Sequence, residues 1–150
     1  MAGLFFACSN PVLIWLTDFE AGEDRVNDCT ASMNGQVSWV YTHDLEATSV
    51  FYRDVLGLAC ERDQGRARLF RTAPNAWIGV CEAFDDRVVE SRGSMISIVT
   101  TEVDAWYRRL LAKGLVVDPP QRLETFGIYS LLVRDPDGYA IEFQQFERQS

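Results

Sequence analysis

From Val37 to Thr42 the chain is β-branched and aromatic, which predicts a strand. Asp44 then stands where a helix N-cap belongs, and Leu45, Thr48, Phe51, Tyr52, Val55 and Leu56 recur at helical spacing. Gly57 supplies a left-handed stop. Three short strands are expected next, Leu58–Arg62, Ala67–Arg71 and Ala76–Ala83. They are separated by the turn signals Gln64-Gly65 and Ala73-Pro74-Asn75. After a polar linker over 84–93 the order repeats. Met95–Thr100 reads as a strand, and Glu102–Lys113 as a helix with an apolar stripe of Val103, Trp106, Tyr107, Leu110 and Leu111. Gly114 ends that helix. Strands are expected near Leu115–Val117 or slightly later, at Ile128–Val133 and at Tyr139–Phe146, the last two joined by Asp135-Pro136-Asp137-Gly138.

A strand-helix-three-strand unit therefore occurs twice, over about 36–83 and 94–148, and such internal repetition fixes architecture more firmly than any single element. In each βαβββ half the helix covers one sheet face and leaves the other free. The expectation is an α+β fold of paired βαβββ modules forming a half-barrel around a central cavity, a default ligand site. The domain is assigned to 33–150. Residues 1–32 form an N-terminal extension that reads either as an arm or as an over-long start with Met33 as initiator. Their apolar runs Leu4–Cys8 and Val12–Leu16 are broken by Ser9-Asn10-Pro11, too short to span a bilayer and without the basic flank of a signal peptide.

Charge narrows the choice of partner. A net charge of −8 among 150 residues argues against nucleic acid and against anionic membrane surfaces. Four scattered cysteines, Cys8, Cys29, Cys60 and Cys81, form no metal or disulfide framework, which suits a reducing, cytoplasmic setting. His43 is the single histidine and falls at a strand-to-helix turn, where a surface role is the usual one.

The stretch Asp44-Leu45-Glu46-Ala47-Thr48-Ser49-Val50-Phe51-Tyr52-Arg53-Asp54-Val55-Leu56-Gly57-Leu58 resembles the first helix and following strand of the vicinal-oxygen-chelate superfamily (glyoxalase, bleomycin resistance protein, extradiol dioxygenase). Asp135-Pro136-Asp137-Gly138-Tyr139-Ala140-Ile141-Glu142 resembles its closing hairpin. The resemblance covers nearly all of 36–148. It implies the paired-module fold and frequent homodimers, but not one function, since the family holds lyases, epimerases, dioxygenases, thiol transferases and metal-free drug-binding proteins.

Enzymes of the family hold one divalent metal through His, Gln or Glu from four strands. Carried over, those positions are Val37, seven residues before Asp44, and Met95, seven before Glu102. Gly79 is the third, on the last strand of the first half, and Glu142 follows the Asp-Pro-Asp-Gly turn. Val37 and Gly79 have no donor atom, a thioether suits hard cations poorly, and one carboxylate makes no cage. Gln36 and Glu82 are neighbours of lost positions, but alternation along a strand sends them to the opposite face.

The resemblance with these losses implies a small-molecule-binding protein with no cofactor and no metal residue. The alternative is a metal-dependent lyase or dioxygenase with displaced ligands. Glu142 is the candidate general base or acceptor. Val37, Trp39, Trp77, Gly79, Met95, Ser97, Tyr129 and Gln144 are the candidate ligand contacts, an aromatic and apolar set suited to a planar or partly apolar organic molecule. Cys81 is expected to be a buried thiol, since no histidine stands near it in sequence.

Overall fold

The computed structural model describes residues 34–147; the extension over 1–32 lies outside them. The first half comprises β1 (Gln36–Thr42), α1 (Leu45–Val50), β2 (Cys60–Asp63), β3 (Ala67–Ala73) and β4 (Ala76–Glu82). The second comprises β5 (Met95–Val99), α2 (Val103–Ala112), β6 (Gln121–Leu123), β7 (Ile128–Arg134) and β8 (Ala140–Phe146). Each half makes one four-stranded mixed sheet, in the orders β1-β4-β3-β2 and β5-β8-β7-β6. The first strand of each half lies parallel to the last, a crossover that its helix makes possible. The repeat read from the sequence is thus the repeat of the fold, and neither sheet closes into a barrel.

Local signals explain the element ends. The Asp44 carboxylate accepts a hydrogen bond from the Ala47 N–H at 3.0 Å, as an N-cap should. Gly57 and Gly114 adopt φ of +71° and +83°, conformations that stop a helix and suit glycine. After Val50 the helix widens into one π-type turn, Phe51–Val55, closed by the Leu56 N–H on the Phe51 carbonyl. The first strand after α2 takes the later of its two expected placements. The extended segment after α2 is Gln121–Leu123, while Leu115–Val117 pairs with no neighbouring strand and runs along the rim of the second sheet. Apolar residues there serve a rim, which the apolar pattern alone does not distinguish from a strand.

The halves share one core, built on the helix side of both sheets. Val40, Ile78, Val80 and Phe70 from the first sheet join Tyr52 and Leu56, and continue into Leu131, Val133, Ile141 and Phe143 of the second with Val103 and Leu110. Trp106 of α2 stacks on Phe143 with ring centroids 4.2 Å apart.

The junction between the halves is polar and specific. The Tyr52 hydroxyl donates to Asp135 Oδ2 at 2.9 Å, and the Thr48 hydroxyl donates to Asp137 Oδ2 at 2.8 Å. Asp135 Oδ1 in turn accepts the N–H groups of Asp137 and Tyr139 and shapes the tight turn. Burial, then the neighbouring Asp135 carboxylate, pushes the Tyr52 phenol far above its ordinary range, so the hydroxyl remains a donor.

Candidate functional site

Because side chains alternate across a strand, every residue that feeds the core leaves its neighbours on the free face. On the first sheet these are Val37 and Trp39 of β1, Trp77 and Gly79 of β4, and Leu69 of β3. They are set side by side by the registers Val37↔Trp77, Trp39↔Gly79 and Leu69↔Gly79. On the second they are Met95 and Ser97 of β5, Glu142 and Gln144 of β8, and Leu132 of β7, through Ser97↔Glu142 and Leu132↔Glu142.

Eight of the nine sequence-derived candidates therefore occupy the free faces. Tyr129 does not. It registers with Gln145 and shares the parity of Leu131 and Val133, so it turns to the helix side, where its hydroxyl donates to Asp104 Oδ1 of α2 at 2.7 Å. That bond, ahead of burial, raises the Tyr129 pKa. The tight Asp135–Gly138 turn pairs Arg134 with Ala140 and fixes this register.

Two concavities open on the free faces, each lined from a single half. The first, about 430 Å³, is bounded by Val37, Glu61, Arg62, Leu69 and Trp77. Glu61 accepts from the Arg71 guanidinium and the Trp77 indole N–H, and these bonds, Arg71 foremost, hold its carboxyl below the usual range. Glu61 and Arg62 escaped the sequence reading because strict alternation allows only one of two consecutive residues on a face. A register shift between Cys60 and Arg62, a bulge in β2, relaxes that rule. The second concavity, about 760 Å³, is bounded by Met95, Leu132, Val133, Arg134, Glu142 and the loop 115–119. Both volumes fall in the range of small-molecule sites. Among the described residues these two open dishes, one on each half, stand in place of the single hollow expected between the halves, because the halves meet through their helix sides.

At the floor of the second dish Glu142 is only 6% exposed, and its Oε2 accepts the Ser97 hydroxyl at 2.7 Å. Met95 stands beside them at 52% exposure. In the first dish the indole of Trp39 lies over Gly79, where a Cβ would clash with the ring. The glycine is thus the seat of the indole, and the room a donor side chain would need at this position is filled by carbon. Among the described residues no three His, Cys, Asp or Glu side chains come together as a cation site. The four family positions do not fit a divalent metal as they stand. Gln36 is exposed on the other face, Glu82 pairs with Arg66 at 2.8 Å, and His43 is exposed at its turn. Cys81 is buried, and burial raises its thiol pKa, the opposite of nucleophile activation.

Two linked βαβββ modules, with helices on one side and open concave sheets on the other, define a two-module α+β fold. The chain belongs to the Glyoxalase/Bleomycin resistance protein/Dioxygenase superfamily, whose family model matches residues 30–143. Among solved structures it is similar to a lactoylglutathione lyase from Agrobacterium tumefaciens, with 25% identity and a TM-score of 0.57 over 73% of this chain and 90% of that one. It is also similar to TnmS3, an antibiotic binding protein from Streptomyces sp. CB03234, with 25% identity and a TM-score of 0.64 over 78% and 98%. A glyoxalase/bleomycin resistance protein/dioxygenase from Nocardioides shares the fold at 19% identity and a TM-score of 0.63, over 80% and 87%. No curated protein matches the sequence. No helix among the described residues is long and apolar enough to cross a membrane.

Proposed function

We propose that this chain is a metal-independent binding protein for a small organic molecule, acting as a homodimer in the cytoplasm. The observation that carries the reading is the seating of the Trp39 indole on Gly79, which puts an aromatic surface where a metal enzyme of the family would place a donor. The first dish offers Trp39, Trp77, Leu69 and Val37, and the second offers Met95 and Leu132 around one carboxylate. Such surfaces favour an apolar or planar ligand anchored by few polar groups. Dimer formation is supported by the exposure of Val99 and Phe146, which face away from the helix side outside the dish lining, so that a second copy would bury them.

Metal analysis of protein purified without chelator, paired with a thermal-shift screen of aromatic ligands, tests the reading. The expected result is far less than one equivalent of Fe, Mn, Ni or Zn per chain, with ligand-dependent stabilisation that EDTA leaves unchanged. A stoichiometric metal lost in Glu142→Ala would overturn it in favour of a lyase or dioxygenase.

A further inference from the structure

We infer that the second concavity selects an organic cation: an apolar body carrying a protonated amine that docks on Glu142. The inference rests on the binding-protein reading above and adds the charge of the ligand to it. Glu142 is only 6% exposed as a residue and lines the floor of a dish of about 760 Å³. Its one hydrogen bond among the described residues is the Ser97 hydroxyl on Oε2, and Oε1 receives none. Among the described residues no Lys or Arg lies within ion-pair distance of it.

A carboxylate withdrawn from water this far is ordinarily compensated by a cation. The charged groups around the dish do not supply one. Asp118 adds a second negative charge, and Arg134, the one basic residue lining it among the described residues, spends Nη1 on the Gly138 carbonyl at 2.8 Å. The walls, Met95, Leu132, Val133 and Leu115–Val117, are hydrocarbon and thioether. An ammonium group brings several N–H donors and makes a charge-assisted bond to the free oxygen, while its apolar body covers these walls. The serine matters too, since it holds Oε2 in place and leaves Oε1 to the ligand.

The test uses three probes of one shape on the full-length protein at pH 7: 4-phenylbutylamine, 4-phenylbutanol and 4-phenylbutyrate, with affinities from calorimetric or NMR titration. The expected order is amine first, about tenfold or more tighter than the alcohol, with the carboxylate weakest. Glu142→Gln, its fold checked by circular dichroism, should lose the amine preference and keep the alcohol affinity. Ser97→Ala retains the charge but frees Oε2, and should keep the amine ahead of the alcohol by a smaller margin. Equal affinity for amine and alcohol, or a preference that survives Glu142→Gln, overturns the cation assignment and leaves the binding reading standing. Absence of binding by all three probes overturns both.

Discussion

Replacing Tyr52 by Phe removes one oxygen from the seam between the halves and little else. Tyr52 is 0% exposed, and its ring stacks on Phe70 at 5.5 Å and meets Phe51 edge-on, contacts that phenylalanine retains. What disappears is the 2.9 Å bond to Asp135 Oδ2. Asp135 keeps its two backbone partners on Oδ1 but is left with a buried, unpartnered oxygen. Hydrogen bonds to charged groups contribute roughly 1.5–3 kcal/mol, and an orphaned acceptor costs a similar amount, so about 2 kcal/mol of destabilisation is expected. For a small domain this moves a urea midpoint down by roughly 1 M at unchanged slope. Urea unfolding followed by tryptophan fluorescence reads it directly. The same substitution made on an Asp135→Asn background should cost under about 1 kcal/mol, because the partner's charge is already gone. A midpoint within about 0.2 M of wild type, or equal costs on the two backgrounds, would refute the reasoning.

Burial raises the Asp135 carboxyl pKa, against the opposing pull of its hydrogen bonds. A carboxyl with a raised folded-state pKa favours folding below its unfolded value and loses that contribution as pH climbs through the folded one. Stability of Asp135→Asn relative to wild type should therefore rise as pH climbs above about 4, the unfolded carboxyl value, and a fall in paired urea titrations would contradict it. Gly79→Ala places a methyl group where the Trp39 ring lies, so a cost of about 1–3 kcal/mol and a red-shifted tryptophan emission are expected; an unshifted spectrum would mean the indole is not seated there. Light scattering after size exclusion should give about twice the chain's 17.0 kDa. Phe146→Lys, which charges the exposed face, should return the monomer; a wild-type monomer at micromolar concentration would speak against the dimer.

The parts of this molecule that depend on neighbours along the chain were readable from its residues. Alternating apolar positions, the Asp44 cap and the glycines after each helix announced the elements, and their recurrence announced the duplicated fold, because these signals act within a turn or a strand. Parity placed Glu142 and seven of its eight companions on the free faces for the same reason. Tyr129, Glu61 and Arg62 needed the folded molecule: which face a residue meets depends on pairing register, and a tight turn in one hairpin and a bulge in the other set it. Tertiary structure alone decided that Trp39 lies over Gly79, that Tyr52 bonds Asp135, and that the free faces form two dishes. Each of these joins residues far apart in sequence or on different strands, and no local periodicity records the distance between them.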